Sequence, residues 1–327
     1  MKQPKIPSLL NRKIYKTGQT RGADDDVIYQ NRVLRNSTVL IPFEIIKNEE
    51  NSWILNKEYE NGFIVLITPE QLFGEEKNNT TRVMNNNNLS IGKNSLVFYT
   101  QRNQYIKYPP ELMGLRTTEP TSRCGDDLGG DFVARISATT SEGKIQSGYN
   151  TTNLKGAGIR LFEYSDNDNI KICRIQLESI YWMCADSISA AIDNGMSEEE
   201  AVNRKKYIFK LAKDHGLIKL EKLKEKRIID HDNHSICPLC LMKLSAKGFY
   251  TRVEQQEFRT VHDLTITEIN LFHIHELRYG EFNHKPYNLG WGHHHCNVVT
   301  KDSGISETIN WMKEIIARNK THEEELS

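Results

Sequence analysis

The apolar pattern divides the chain into two kinds of segment. Up to about residue 170, apolar residues come in short runs rich in β-branched and aromatic side chains: "STVLIPFEII" at 37–46, "GFIVLITP" at 62–69, "NSLVFYT" at 94–100 and "DFVARISA" at 131–138. Turn formers separate them, such as "NNNN" at 85–88 and "NTTNLKGAG" at 150–158. This alternation predicts a mostly β region, with "NGFIVLITPEQLF" running from a strand into a short helix at Pro69. The Gly/Asp-rich "RCGDDLGGDF" at 123–132 suits a turn, or less commonly a cation loop.

From about 174 the period becomes helical. "RIQLESIYWMCADSISAAIDNG" carries apolar groups at helix spacing and ends in Asn-Gly, a good helix stop. "SEEEAVNRKKYIFKLAKDHG" follows, with a capping box from Ser197 to Glu200, acidic residues in its first turn and Gly216 at its end. A third helical stretch, "LIKLEKLKEKR", leads into "IIDHDNHSICPLC". "ISETINWMKEIIARN" near the C-terminus places Ile309, Met312, Ile315 and Ile316 on an apolar stripe. The sequence therefore predicts an α+β chain of three regions. These are a β-rich region at 1–173, a helical connecting region at 174–230, and a C-terminal module at 231–327.

Composition adds bounds. At 327 residues, 38% hydrophobic and 26% charged, the chain has a globular balance and room for one large domain or two ordinary ones. No apolar run approaches the ~20 residues of a membrane helix, and the N-terminus lacks the apolar core of a signal peptide. A cytoplasmic protein without a membrane partner is expected. Net charge is zero, but residues 203–227 hold ten Lys/Arg against three Asp/Glu. That stretch is either a solvated helix face or a phosphate-contacting arm, with Lys205 and Lys206 as contacts. Arg82, Arg102 and Arg116 lie in polar loops, where solvation is the commoner fate.

The densest chemistry is in "NLGWGHHHCNVVTKD", residues 288–302. Cys237 and Cys240 are two residues apart, and His293 precedes Cys296 by the same gap. Two such x2 pairs supply the four soft or borderline ligands that tetrahedral structural Zn2+ requires. His294 and His295 fit that spacing less well and are expected to face DNA or solvent. A redox dithiol at "CPLC" is the competing reading, but no βαβ unit precedes it.

Between the pairs lies "NLFHIHELRYGEFNHKPYNLGW", and the order "CPLC…IHEL…PYNLGWGHHHCN…K" resembles the HNH, or ββα-metal, nuclease family over roughly residues 234–305. Within that family it is most similar to bacterial type II restriction endonucleases. The resemblance implies a zinc-stabilised ββα module, a second, catalytic Mg2+ or other divalent cation, double-stranded DNA as substrate and a homodimer. It carries catalytic roles to His275, Glu276 and Asn288, cation ligation to His273 and Asn297, and DNA contacts to Arg278 and Lys301. One departure stands out: the family pattern puts an acidic or His residue before the catalytic His, whereas here His275 precedes Glu276. The swap leaves His275 or Glu276 as the base, and His275 is preferred because an imidazole is poised near neutral pH. His273 and His284 are otherwise ordinary hydrogen-bonded histidines. Two further functions stay open: a DNA-binding protein with an inactive nuclease fold, and a nuclease dependent on modified bases.

Overall fold

The chain is seen in a computed structural model that describes residues 3–15, 39–60, 62–116, 128, 130–134, 159–253, 267–300 and 303–326. It forms two compact units, Gln19–Asp166, and Met1–Gly18 with Asn167–Ser327. The helical stretch 174–230 and the segment 231–327, separated on the sequence, thus fall in one unit. They are joined there by the N-terminal helix α1 (Ser8–Tyr15).

The Gln19–Asp166 unit holds a five-stranded sheet in the order β4-β3-β2-β1-β5. Its strands are β1 (Val39–Pro42), β2 (Phe63–Ile67), β3 (Ser95–Tyr99), β4 (Phe132–Ala134) and β5 (Ile159–Arg160), and every pairing is parallel. Parallel neighbours need crossover connections. Helices α2 (Phe43–Ile46), α3 (Pro69–Phe73), α4 (Lys77–Asn86) and α5 (Arg102–Lys107) lie between successive strands. The expectation of a mostly β region is therefore corrected to a mixed α/β one. The signal was present in the strands. "VLIP", "FIVLI" and "SLVFY" are almost unbroken apolar runs, the mark of a sheet covered on both faces. Leu40, Ile64, Leu96 and Val133 pack in one cluster, and Val97, Tyr99 and Phe132 in another. Helix α4 escaped notice because it is polar, burying only Thr80, Val83 and Met84. The turn into α3 forms as expected: Thr68 caps it, with Gln71 completing the box and Pro69 following the cap. Most of 123–132 and all of 150–158 lie outside the described residues.

The second unit contains α6 (Asn167–Trp182), α7 (Ser187–Asp193), α8 (Glu198–Asp214), α9 (Leu220–Glu225), an antiparallel pair β6 (Ile269–His273) and β7 (Leu289–His293), then α10 (His294–Thr300) and α11 (Ile305–Leu326). The stretch expected as one helix at 174–195 breaks between Trp182 and Ser187, at the half-buried Asp186. Its carboxylate accepts from Ser245 Oγ at 2.6 Å and Ala246 N at 2.7 Å. The capping box of α8 forms between Ser197 and Glu200. Helices and hairpin share one core that includes Leu177, Ile180, Trp182, Phe249, Phe272, Leu289 and Trp291. Trp291 Nε1 donates to Leu177 O at 2.8 Å, and Lys13 Nζ donates to Ile269 O at 2.7 Å. The hairpin is thereby seated on α6 and tied to α1. In α11, Ile309 and Met312 pack on this core, while Ile316 is exposed. Among the described residues no helix is long and apolar enough to cross a membrane.

Candidate active site and metal centre

The hairpin β6–β7 runs directly into α10, so the chain makes a ββα unit with register Ile269↔His293 to His273↔Leu289. Gly292 is required in it. A Cβ there would stand 2.5 Å from the ring of buried Phe272.

Cys237, Cys240, His293 and Cys296 converge, their donor atoms all within 4.8 Å of one another. Cys240 Sγ lies 3.3 Å from His293 Nδ1. The Cys-x2-Cys turn is shaped by Leu241 at φ 62°, whose N–H returns to Cys237 O at 2.9 Å, while Cys237 N donates to Met242 O at 2.9 Å. Burial raises the Cys237 thiol, and burial with the neighbouring thiols raises Cys296. Burial, helped by His295, lowers the imidazole of His293. Three crowded thiols and a neutral imidazole are the donor set of a thiophilic cation, whose arrival would drive off the thiol protons. Donors on a tetrahedron with metal–sulfur bonds of about 2.3 Å stand roughly 3.8 Å apart, so the set fits Zn2+.

His294 and His295 differ in their surroundings. His294 is half-buried, with Nδ1 3.2 Å from Asn270 Nδ2. His295 is exposed, stacks on His293 with ring centroids 5.6 Å apart and brings Nε2 to 3.3 Å from Cys296 Sγ. Neither stands as a free surface ligand.

His275 lies two residues beyond β6, not within it, and its side chain is exposed. Asn288 is 4% exposed and holds it by the backbone. Asn288 Oδ1 accepts from His275 N at 2.7 Å, and Nδ2 donates to His275 O at 3.2 Å and to Asn283 O at 2.8 Å. The ladder would put Tyr287 opposite His275, but Tyr287 has φ 67° and turns away. The Asn288 amide takes its place, extending the pairing by one residue. Tyr287 is held in turn by α6 and by the turn after α8: its N–H donates to Gln176 Oε1 at 2.7 Å, and its hydroxyl donates to Gly216 O at 2.7 Å. Gln176, Tyr287 and the Asn283 turn carry no chemistry of their own in the sequence, which is why sequence reasoning passed them by.

Glu276 is paired with Arg278 at 2.8 Å. His273 Nε2 faces His284 Nδ1 at 3.3 Å, so the structure brings His284 to His273. Asn297 is half-buried in α10. Lys301 lies outside the described residues. Of the basic residues, Lys206 is exposed on α8, whereas Lys205 is half-buried and lowered by burial. It lines a cavity of about 400 Å³ with Trp182, Phe209 and His234. Lys226, not singled out in the sequence, lies with Nζ 3.4 Å from His275 Nε2. Arg116 is engaged by Asp131 through two 2.9 Å bonds, and Arg82 donates to Asn79 at 2.9 Å. The side chain of Arg102 lies outside the described residues. A second group, Asp230, Asp232 and His234, also has donors within 4.8 Å of one another. The ammonium of Lys243 already stands among them, at 3.2 to 3.5 Å.

No curated protein matches the sequence. The crystal structure of a type II restriction endonuclease is similar over 49% of this chain at 16% identity and a TM-score of 0.30. The chain spans 58% of that structure's length. The profile of the BstXI restriction endonuclease family matches residues 12–294, from α1 through β6 and β7 to the first residue of α10. A match over that much of the sequence means that the chain belongs to the BstXI restriction endonuclease family.

Proposed function

We propose that the protein is a site-specific endonuclease that hydrolyses phosphodiester bonds of double-stranded DNA, as a type II restriction enzyme does, with His275 as its general base. The observation that carries this reading is the grip of Asn288 on the His275 backbone, which aims an exposed imidazole from the end of a ββα hairpin. Membership of a restriction endonuclease family supports DNA as the substrate. The imidazole is preferred over Glu276 as base because an imidazole is poised near neutral pH.

Hydrolysis here needs a water deprotonated and a developing phosphorane charge met. His275 takes the proton. His273 and Asn297 would hold a divalent cation, and the facing nitrogens of His273 and His284 are the feature that fits one. Such a cation supplies charge for the phosphorane and the leaving oxygen. Cys237, Cys240, His293 and Cys296 would hold Zn2+ as a structural rivet for the turn and the base of α10. Lys206 and Arg278 are exposed and suited to backbone phosphates. A symmetric site cut on both strands would call for a homodimer. The test is incubation of the full chain with a defined plasmid and Mg2+, followed by sequencing of the fragment ends. Discrete ends support the reading. A random smear, or intact plasmid, contradicts it.

A further inference from the structure

Lys226 follows the last turn of α9, outside any predicted catalytic motif and 49 positions before His275. Its backbone is firmly placed. Lys226 N donates to Lys222 O at 3.0 Å, and Arg227 N donates to Lys224 O at 2.9 Å. Arg227 stands at φ 59°, and its guanidinium reaches back to Pro238 O at 2.7 Å and Leu239 O at 3.3 Å, the two carbonyls inside the Cys-x2-Cys turn. The end of α9 is thereby clamped to the proposed zinc turn. The side chain of Lys226 is 28% exposed.

An ammonium has three donors and no acceptor. The contact of 3.4 Å with His275 Nε2 is a hydrogen bond in the tautomer that keeps a lone pair on Nε2 and the ring proton on Nδ1. A lone pair so held cannot take a proton from water. Lys226 also pairs with the carboxylate of Glu225 at 3.6 Å, itself 71% exposed. The anion that substrate brings to an exposed imidazole is phosphate, which draws an ammonium better than a neutral ring nitrogen does.

We propose that Lys226 is a catalytic residue: it caps the lone pair of His275 Nε2 in the free protein and transfers to the phosphate at the cut when DNA binds. This rests on the reading of His275 as base. With Nε2 released, the water O–H breaks and its proton goes to Nε2. The water oxygen bonds to phosphorus, the bond from phosphorus to the leaving oxygen breaks, and that oxygen takes a proton from solvent. Lys226 stays on the non-bridging oxygens throughout. The capping contact also makes the free protein a poor general base toward other substrates.

The test uses the full chain with Lys226→Met, Lys226→Arg and His275→Ala, and four readouts. These are single-turnover plasmid cleavage, salt dependence of DNA binding, thermal midpoint, and the 15N spectrum of the histidine rings at alkaline pH. Lys226→Met is expected to cut about a hundredfold more slowly with an unchanged midpoint, and to lose about one unit of salt slope. Lys226→Arg is expected to recover most of the rate. In the free wild type the His275 ring should carry its proton on Nδ1, and in Lys226→Met that preference should weaken. Wild-type cleavage by Lys226→Met beside a dead His275→Ala overturns this proposal and leaves His275 as base. A wild-type rate in His275→Ala overturns the underlying reading itself. An Nε2-protonated ring in the free protein, or a loss in Lys226→Met that tracks the midpoint and is not rescued by Arg, also overturns the proposal.

Discussion

Asn288 pairs with His275 through both ends of one amide, accepting from its N–H at 2.7 Å and donating to its carbonyl at 3.2 Å. Asn288→Asp keeps the acceptor but sets a carboxylate against the carbonyls of His275 and Asn283. Asn288→Ala removes both bonds. Each should cut at least a hundredfold more slowly, since a shift of about 1 Å in a reacting group costs on that order. Single-turnover cleavage rates measure it, with DNA affinity expected to stay within a few-fold. A fall in affinity as large as the fall in rate would mean that Asn288 shapes the DNA surface instead.

Metal removal is expected to act on stability first. The purified chain should contain zinc at about one atom per chain, as a four-donor structural site requires. Chelation or Cys240→Ser should lower the thermal midpoint and loosen the Arg227 clamp on the Pro238 and Leu239 carbonyls. Structural zinc contributes of order 10 kcal/mol to small domains at neutral pH. Metal analysis with calorimetry checks this, and a metal-free chain of unchanged midpoint would contradict it.

Gly292→Ala should cost about 1–3 kcal/mol, the usual cost of overpacking a core. The added methyl meets the Phe272 ring, which is fully buried. Urea unfolding of the variant gives the number. The same measurement on Glu178→Ala, which strands the Arg204 guanidinium, should give about 3–5 kcal/mol. That pair meets at 2.7 Å with Glu178 4% exposed.

Asp186 sets part of the acid limb of stability. Burial pushes its carboxyl up, but hydrogen bonds from Ser245, Ala246 and Lys247 outweigh it and leave the group below its ordinary value of 3.8. A carboxylate lowered on folding stabilises the fold above the unfolded value, and that contribution is lost as pH falls through the folded value. The thermal midpoint should therefore drop on acidification below about pH 4. Asp186→Asn should be less stable at neutral pH and show a shallower acid drop. Equal slopes for wild type and variant would rule this out.

The convergence of Cys237, Cys240, His293 and Cys296 was legible in the sequence, because a tetrahedral donor set imposes short, repeated spacings on the chain. The helices at 198–214 and 220–225 were legible from period and caps. The parallel sheet was missed although its strands are almost unbroken apolar runs, because the helices between them are short. The polar α4 then hid a crossover helix. The partners around His275 left no local trace: Gln176 reaches Tyr287 across 111 residues and Lys226 reaches His275 across 49. Such partners are set by packing, not by spacing.

The central claim is that His275 is the base of a DNA-cutting site. Plasmid incubated with Mg2+ and wild type, His275→Ala or Glu276→Ala tests it most directly, with fragment ends sequenced and folding checked by thermal midpoint. The account predicts discrete ends from wild type, ends at the same positions from Glu276→Ala, and intact plasmid from a folded His275→Ala. Cleavage by His275→Ala at the wild-type rate would contradict it.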